Sequence, residues 1–347
     1  MLNRFLGKFS KDIGIDLGTK NTLVYSSDRG IVINEPSVVA INIKTDEIIA
    51  VGEEARVMIG KTPSHIAAIR PLIKGVISDY EITERMIKYF IDKVHAEDFT
   101  ISPRPRVIIG IPLDITEVEK KAVEDVTKSA GAREVVLVEE SMAAAIGARF
   151  PVLDAKASLI IDIGGGITEI AVISLGGVVT WKSMQLAGDE LDNSIVQYIR
   201  EEFNILIGDQ IAENIKISIG SALALKEPLT MKARGRDLIT GLPKQIEISD
   251  TQIREAMSRS ITKIVDNIKI VLEITPPELV SDIYENGIVL TGGVALLRNI
   301  DKCIAQATKI PVRIGEDPLT CVVRGTGIML GDNELLQKVR VSSADDN

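Results

Sequence analysis

The chain has 347 residues, of which 45% are hydrophobic and 26% are charged, and this length and composition allow two hydrophobic cores. Its formal net charge of −9 argues against general nucleic-acid binding, which needs a basic surface. The two cysteines form no CxxC pair and the two histidines lie far from the glycine-rich turns, which argues against a disulfide framework, a zinc site or a histidine-based hydrolase. With no signal peptide and no uninterrupted apolar span of about 18 residues, a soluble intracellular protein is expected.

The predicted elements alternate between strands and helices, which indicates α/β layering. In the first half we predict strands over residues 12–17, 21–26, 30–34, 38–43, 107–111 and 135–138, and helices over 81–95, 116–130 and 141–148. In the second half we predict strands over 158–163, 168–174, 178–183, 287–290 and 312–314, and helices over 189–203, 209–217, 250–273 and 296–308. Residues 53–69 are mixed and expected outside the central sheet, and residues 229–248 resemble a strand and hairpin.

Two segments of the chain repeat one pattern of an apolar strand, an Asp, a glycine-containing turn and a second β-rich strand. Asp16 and Asp162, the carboxylates that lead the two turns, lie 146 positions apart, which is about one domain length. The repeat therefore indicates two related domains. Two such turns could grip a polyphosphate and its Mg²⁺ from opposite sides.

The first turn offers groups suited to phosphate. Gly18 permits close approach of the backbone, and the side chains of Thr19 and Asn21 can donate hydrogen bonds to phosphate oxygens. Asp16 would repel phosphate, so its expected partner is hydrated Mg²⁺. Taken alone, the segment is equally compatible with an ordinary hairpin that has an Asp in its turn.

The second turn has three consecutive glycines, which offer an unobstructed row of N–H donors, and Asp162 repeats the carboxylate that faces the metal. A flexible turn is the alternative, but chance would then have to explain the repeat as well. Glu139 and Glu140 follow a predicted strand, and Glu140 could orient a water for attack on a terminal phosphate. Alternatively, the two glutamates only favour the N-terminal end of a helix.

Further along the chain, the Gly292–Gly293 pair follows a buried strand and could let a flat base lie against the backbone. Glu213 and Lys216 share a helix face, where they could bind a ribose or form a solvated ion pair. The Ala143–Ala145 run predicts close helix packing, as a crossing between domains would need.

The first eleven residues form a predicted amphipathic helix. The apolar residues at helical spacing are Leu2, Phe5, Leu6 and Phe9, and Arg4, Lys8 and Lys11 flank them with positive charge. This composition is typical of a short helix that lies on an anionic membrane surface. A helix packed on the body of the protein, or a frayed end, is the alternative.

These segments, in this order, resemble the actin-like ATPase superfamily and, in detail, its MreB family of bacterial actin homologues. The resemblance covers nearly the whole chain and rests on IGIDLGTKNT, RPLIKGVISDYEITE, VEESMAAAIGA, DIGGGITEIAVISLGG, AGDELD, AENIKISIGSA, GIVLTGGVALLRNID and DPLTCVVRGTG. It implies an actin-like fold of two related α/β domains, each with a small subdomain insertion, and a nucleotide cleft between them. Domain I would comprise residues 12–150 and 318–347 with an insertion at about 34–80, and domain II residues 151–317 with an insertion at about 190–250.

The resemblance also implies a function: a cytoskeletal protein that binds and slowly hydrolyses ATP with Mg²⁺ and polymerises into membrane-associated filaments involved in cell shape. Its implied partners are other copies of itself, an anionic membrane surface, and paralogues or shape-determining membrane proteins, without nucleic acid. Its implied location is cytoplasmic and peripheral, on the inner face of the cell membrane.

By the same resemblance, individual residues acquire expected roles. Asp16, Gly18, Thr19, Lys20 and Asn21 belong to the first phosphate loop, and Asp162, Gly164, Gly165, Gly166 and Ile167 belong to the second. Glu140 and Thr168 would position the lytic water, and Asp16 and Asp162 would face Mg²⁺ through water. Glu213 and Lys216 would hold the ribose. The adenine would be flanked by Gly292, Gly293, Val294 and Ala295.

Five positions depart from the family pattern. Lys20 stands where the family has a small residue, Lys74 where it has an acidic residue, and Ser141 where it has a Pro. Ile167 replaces a Thr that would face the γ-phosphate, and Val294 replaces a third Gly beside the base. These changes bear on the hydrolysis rate more than on nucleotide binding, and they are consistent with a slow or specialised paralogue.

Three other functions remain open. A small-molecule kinase of the same superfold would need a catalytic carboxylate and a sugar or acid pocket, and the N-terminal helix would be unexplained. An Hsp70-type chaperone ATPase would need a substrate-binding domain after residue 347. A filament protein could bind ATP with negligible hydrolysis.

Overall fold

A computed structural model describes residues 10–96 and 103–341 of the chain. These residues form two compact units. The first takes its described residues from Met1–Ala155, Ile173–Val178 and Leu319–Asn347, and the second from Lys156–Val172 and Val179–Pro318. The predicted N-terminal helix, with Leu2, Phe5, Leu6 and Phe9, lies outside the described residues except for its last two positions, Ser10 and Lys11, which are not helical.

The secondary structure follows the predicted alternation. The elements up to residue 147 are β1 (Ile13–Leu17), β2 (Asn21–Ser26), β3 (Gly30–Pro36), β4 (Val39–Asn42), β5 (Glu47–Val51), α1 (Glu53–Arg56), β6 (Ile66–Ile69), β7 (Leu72–Ile73), β8 (Val76–Ile77), α2 (Tyr80–His95), β9 (Arg106–Ile111), α3 (Glu117–Ser129), β10 (Glu134–Glu139) and α4 (Glu140–Gly147).

The remaining elements are β11 (Ser158–Ile163), β12 (Thr168–Ser174), β13 (Gly177–Met184), α5 (Gly188–Phe203), β14 (Ile205–Leu206), α6 (Asp209–Ile219), β15 (Thr230–Asp237), β16 (Pro243–Ser249), α7 (Asp250–Ile274), α8 (Pro277–Asn286), β17 (Ile288–Thr291), α9 (Ile300–Thr308), β18 (Val312–Ile314), α10 (Cys321–Gly331) and α11 (Asn333–Val339). Residues Gly293–Leu296 and Pro318–Thr320 form 3₁₀ turns.

The central sheet of the first unit has the strand order β10-β9-β1-β2-β3. Strand β1 pairs in parallel with β9, which pairs in parallel with β10, whereas β1 and β2 form an antiparallel hairpin. Residues Val107–Ile111 of β9 are all buried, as expected of an interior parallel strand with both faces covered. The carboxyl ends of β1, β9 and β10 therefore meet at one edge of this sheet.

The helices of the first unit begin where side-chain caps allow. Asp79 accepts a hydrogen bond from the N–H of Ile82 at the start of α2, and Thr116 and Glu119 form a reciprocal capping box at the start of α3. Each cap satisfies N–H groups that have no partner inside the helix.

A smaller three-stranded sheet, with the order β5-β4-β6, lies outside the central sheet of the first unit. Strand β6 and helix α1 come from the segment 53–69 that was predicted to be mixed and outside the central sheet, and this prediction is confirmed. Strand β5 and the β7–β8 hairpin were not predicted.

The central sheet of the second unit has the order β13-β12-β11-β17-β18. This order repeats that of the first unit strand for strand, which confirms the internal repeat predicted from the sequence. A second sheet, β14-β15-β16, contains the predicted hairpin. The helix predicted over 296–308 begins instead at Ile300, because Gly293–Leu296 turns as a 3₁₀ helix and Asn299 has a φ of +59°.

After the second unit the chain returns to the first as α10 and α11. Helix α10 packs backbone to backbone on α4: a Cβ on Gly147 would overlap the carbonyl of Cys321, and a Cβ on Gly325 would overlap that of Ala143. The close packing predicted for the alanine run is therefore present. The expectation that it serves a crossing between domains stays a prediction; both helices belong to the first unit, which the chain leaves after α4 and re-enters before α10.

Candidate functional site

The first candidate loop joins β1 to β2 in the first unit. A Cβ on Gly18 would lie 2.6 Å from the carbonyl oxygen of Asn21, so any side chain there would force the turn to shift. Ser37 holds the loop from behind: its hydroxyl donates to the Gly18 carbonyl at 2.6 Å, and its N–H donates to the Lys20 carbonyl at 2.9 Å. The loop is thus a fixed turn, since its carbonyls are bonded within the unit.

Thr19 connects this loop to the β7–β8 hairpin. Its Oγ1 accepts a hydrogen bond of 3.0 Å from the N–H of Gly75, and the side chain is nearly buried. Lys74 and Gly75 both have positive φ, 52° and 80°, as a two-residue hairpin turn requires. Accepting this bond leaves the hydroxyl proton of Thr19 available for another acceptor. Sequence reasoning missed the connection.

The other residues predicted for the first loop have mixed surroundings. Asp16 and Lys20 are partly exposed. Asn21 was predicted to donate to phosphate, but its amide nitrogen donates to Oδ1 of Asn34 across the β2–β3 pair at 3.1 Å. One of its two N–H groups is therefore committed to the sheet.

Glu140 is the first residue of α4 and is almost fully buried. It directly follows β10, so it lies at the same carboxyl edge of the sheet as Asp16 at the end of β1. Gly110 on β9 makes room for it: a Cβ there would lie 3.0 Å from Cγ of Glu140. At the neighbouring Glu139, burial raises the pKa, and Lys120 partly offsets this effect.

The second candidate loop follows β11 in the second unit and begins with Asp162. This carboxylate is buried, and its Oδ1 accepts a hydrogen bond of 2.6 Å from the hydroxyl of Thr291, the residue opposite it on β17. Burial raises the pKa of Asp162, and the Thr291 hydrogen bond acts in the opposite direction. A buried carboxylate with one neutral partner is well suited to a cation.

The glycine turn itself is held by the N-terminus of α5. The N–H of Gly164 closes the turn on the Ile167 carbonyl at 3.0 Å. The N–H of Gly188 donates to the Gly164 carbonyl at 3.1 Å, and that of Asp189 donates to the Gly165 carbonyl at 2.8 Å. With these carbonyls fixed, the loop has a defined orientation.

Two N–H groups of the loop remain available. In the part of the chain that the structure describes, no group accepts a hydrogen bond from the N–H of Gly165 or of Gly166. Successive backbone N–H groups in a turn form an anion-binding concavity, and here the helix N-terminus adds to the favourable field. Of all the features of the second unit, this pair of donors most clearly suits a phosphate group.

The two residues after the glycines are buried. The Ile167 side chain is buried, and the hydroxyl of Thr168 donates to the carbonyl of Leu186 at 2.6 Å. The water-positioning role predicted for Thr168 would have to use its oxygen lone pairs or follow a rotation of the hydroxyl.

The Gly292 turn approaches the backbone of β11. Gly292 has a φ of +81°, and a Cβ there would overlap Ile163. Val294 and Ala295, in the following 3₁₀ turn, belong to the hydrophobic core of the unit. Of the residues predicted to flank a base, these two can therefore contribute only their backbone.

Lys216 has partners that differ from the predicted ones. Its ammonium forms an ion pair with Asp192 at 2.7 Å and donates to the carbonyl of Gly188 at 3.0 Å, and its side chain is only 12% exposed. The alternative of a solvated ion pair with Glu213 is therefore wrong for Lys216. Glu213 lies one turn earlier on α6 and is partly exposed.

Residues 10–96 and 103–341 contain no group of three or more His, Cys, Asp or Glu side chains arranged to hold a metal ion. They also contain no helix with the length and apolarity needed to cross a bilayer.

Comparison with known proteins gives a consistent family match. The family model described as MreB/Mbl protein matches residues 10–338. The cell shape-determining protein MreB of Escherichia coli K12 is 50% identical over 331 residues, which cover 94% of this chain and 95% of that protein.

Solved structures give the same result. The crystal structure of MreB5 of Spiroplasma citri bound to ADP superposes with a TM-score of 0.89 at 40% identity, covering 95% of this chain and 98% of that one. The same protein bound to AMPPNP also gives 0.89. A MamK double helical filament, at 21% identity and a TM-score of 0.79 over 93% of this chain and 99% of that one, shares the fold. The predicted actin-like fold is confirmed.

Proposed function

Because this chain belongs to the MreB/Mbl family, we propose that it is an actin-like cytoskeletal protein that binds ATP with Mg²⁺, hydrolyses it slowly and polymerises into membrane-associated filaments that contribute to cell shape. Relatives named as cell shape-determining proteins and the ADP and AMPPNP complexes of MreB5 support this proposal. We further propose that each unit contributes its glycine loop to nucleotide binding.

The N–H pair of Gly165 and Gly166 carries the proposal. A phosphate oxygen would accept hydrogen bonds from these donors, while the carbonyls of the loop stay fixed by the N-terminus of α5. The loop is thus organised before the ligand arrives, which reduces the entropy lost on binding.

The first unit would contribute the hydroxyl of Thr19 and the backbone around Gly18 to the phosphates. Glu140 would accept a proton from, or orient, the attacking water, because it lies at the same carboxyl edge of the sheet as this loop. Thr168 remains a proposed partner in placing this water.

The residues present suit Mg²⁺ that is bound through waters and phosphates better than a metal ion whose ligands all come from the protein. Mg²⁺ keeps several waters and binds through one or two carboxylates together with substrate phosphates. Asp162 is buried and Asp16 partly exposed, each beside its own loop, so both would contact the ion through water. When bound, the ion would neutralise phosphate charge.

The adenosine part of the nucleotide would contact the second unit. We propose that the backbone of Gly292, Gly293, Val294 and Ala295 flanks the base and that Glu213 binds the ribose. A backbone surface suits a flat aromatic group, because Val294 and Ala295 direct their side chains into the core.

Polymerisation and membrane attachment complete the proposal. The partners would be other copies of the chain, an anionic membrane surface, and paralogues or shape-determining membrane proteins, with the protein peripheral on the cytoplasmic side. One short amphipathic helix binds a membrane weakly, but a filament presents many such helices at once.

A calorimetric titration with ATP and Mg²⁺ tests nucleotide binding, with a matched pair of glycine variants. Gly18→Ala should weaken binding at least about tenfold, because its Cβ meets the Asn21 carbonyl at 2.6 Å. Gly331→Ala, in the same unit, has open space around its Cβ and should bind like wild type. Equal binding by both variants would argue against the first loop.

Two further measurements separate the alternative functions. Pelleting with ATP should sediment the protein, whereas a small-molecule kinase would stay in solution. Phosphate release should fall in Glu140→Ala; an unchanged rate would remove Glu140 from the mechanism, and a negligible rate in wild type would indicate a filament protein that binds ATP without hydrolysing it.

A further inference from the structure

We infer that Lys216 is a positioning residue for the second glycine loop, and that it acts through two peptide units to orient and polarise the N–H of Gly166. The inference rests on the proposed function for its nucleotide measurement. It gives Lys216 a role on the phosphate side of the site, beyond the ribose contact predicted from the sequence.

The ammonium of Lys216 contacts two groups of the protein. It lies 2.7 Å from Oδ1 of Asp192 and donates to the carbonyl of Gly188 at 3.0 Å, and the side chains of Lys216 and Asp192 are only 12% and 4% exposed. Of the three N–H donors of the ammonium, the hydrogen bond to Gly188 uses one, whereas the contact with Asp192 is an ion pair without hydrogen-bond geometry.

The carbonyl of Gly188 belongs to the same peptide unit as the N–H of Asp189. That N–H donates to the carbonyl of Gly165 at 2.8 Å. The carbonyl of Gly165 in turn shares a peptide unit with the N–H of Gly166. A continuous chain of hydrogen bonds therefore runs from the ammonium, through two peptides, to this N–H.

Hydrogen-bonded peptides polarise one another, and a charge at one end of the chain strengthens each donor along it. The last donor, the N–H of Gly166, bonds to no acceptor in residues 10–96 and 103–341. Lys216 thus places part of its positive field at the loop and fixes the plane of the peptide that a phosphate would contact.

Gly188 allows this arrangement because it has no side chain. A Cβ there would lie 3.2 Å from the Gly164 carbonyl oxygen and 3.5 Å from the Lys216 ammonium. The N–H of Gly188 donates to that same Gly164 carbonyl, so the start of α5 contacts the loop at two adjacent peptides.

The test must avoid leaving a buried charge without its partner, since removing one member of a buried ion pair is strongly destabilising. The double variant K216M/D192N removes both charges together. K216R keeps a cation able to reach both acceptors. K244M/D237N is the matched control, because it removes another lysine–aspartate pair of the second unit, 2.9 Å apart, on the β15–β16 hairpin.

The affinities for ATP, 2′-deoxy-ATP and 3′-deoxy-ATP would be measured with Mg²⁺ present. We expect K216M/D192N to weaken ATP binding about tenfold, a loss typical of one hydrogen bond to a charged group. K216R should restore most of the affinity, and the control should match wild type. The weakening caused by K216M/D192N should persist with both deoxy nucleotides, because it acts through the phosphate loop.

A weakening that disappears with either deoxy nucleotide would show that Lys216 acts only through the ribose, and would overturn the inference. Amide hydrogen exchange gives a readout without nucleotide: Gly188 and Asp189 should exchange faster in K216M/D192N and not in the control. Unchanged exchange at both amides would also overturn it. If wild type binds no ATP, the proposed function fails, and the exchange result still decides the role of Lys216.

Discussion

At the scale of single residues, the position of Glu140 depends on the absence of a side chain at the neighbouring Gly110. A Cβ at this position would lie 3.0 Å from Cγ of Glu140 and 3.3 Å from Cγ1 of Val322, both closer than side chains normally approach. The glutamate would have to move by a few tenths of an ångström, because the strand that carries Gly110 lies inside the sheet.

We therefore predict that Gly110→Ala lowers the rate of phosphate release by about 10-fold to 100-fold and leaves ATP affinity within about threefold, since small displacements of a catalytic group are costly. Single-turnover phosphate release and calorimetry measure the two effects. Gly331→Ala, which has open space in the same unit, serves as the control. An unchanged rate in Gly110→Ala would contradict the prediction that phosphate release depends on the position of Glu140.

Asp162 gives a prediction about pH and stability. Burial raises its pKa above the unfolded value, so the native state binds this proton more tightly than the unfolded state does. The stabilisation is complete below the unfolded pKa and is lost as the pH rises through the native pKa. At pH values above the unfolded pKa, Asp162 therefore contributes less to the stability of the nucleotide-free protein than it does in acid.

Asp162→Asn should raise the melting temperature of the nucleotide-free protein at neutral pH by about 2–4 °C for each kcal/mol recovered, while the amide oxygen can still accept from Thr291. The extra stability conferred by ATP with Mg²⁺ should disappear. Asp237→Asn is a control that should lower the melting temperature. Hydrogen bonds to its carboxylate, first from the N–H of Thr240 and then from Lys244 and the N–H of Ile239, lower the pKa of Asp237 and so favour its ionised form in the native state. A lower melting temperature for Asp162→Asn would contradict the assignment.

At the scale of elements, the packing of α10 on α4 depends on glycines that allow backbone contact. A Cβ on Gly325 would overlap the carbonyl of Ala143, and neither backbone can move without disturbing its helix. Gly325→Ala should therefore lower the free energy of unfolding by about 1–3 kcal/mol or more, although alanine favours helix elsewhere.

Urea unfolding of Gly325→Ala and Gly331→Ala compares two glycines of the same helix. Gly331 has open space around its Cβ and should be neutral or slightly stabilised by alanine. If both variants unfold at the same urea concentration, the contact between α4 and α10 contributes little to the stability of the first unit.

The strands and loops of the site were predictable from sequence, whereas the contacts that orient them were not. Asp16 and Asp162 can be identified from the sequence because each ends an apolar run and precedes a glycine turn. The bond from Gly75 to Thr19 joins residues 56 positions apart, and that from Thr291 to Asp162 joins residues 129 positions apart. Periodicity carries no information about such distant pairs.

Lys216 illustrates the same limit. Helical spacing correctly places it on one face with Glu213, but the spacing cannot show that Asp192, on a different helix, takes its ammonium out of solvent. Helix α8 was missed for a related reason: its existence follows from packing on the unit, and Pro276 and Pro277 at its start obscure the periodic pattern.

At the scale of the whole molecule, membrane attachment can be separated from folding. Lys11 fastens the described chain directly after the proposed membrane helix: its side chain forms an ion pair with Asp28 at 2.7 Å, and its N–H donates to Nε2 of His95 at 3.2 Å. The hydroxyl of Ser10 also accepts from the N–H of Arg104 at 2.8 Å. A truncation that ends before Ser10 preserves these contacts.

We predict that deleting residues 1–9 abolishes binding to vesicles of anionic lipid and leaves ATP affinity and the melting temperature unchanged. Replacing only Phe5 and Phe9 by serine should weaken binding strongly while keeping the positive charge, since the apolar face supplies most of the binding energy. Vesicle sedimentation with and without ATP measures both effects. Wild-type filaments should bind the vesicles far more firmly than wild-type monomers, because each added subunit adds one anchor. Equal sedimentation of the deletion variant and wild type would show that another part of the molecule contacts the membrane.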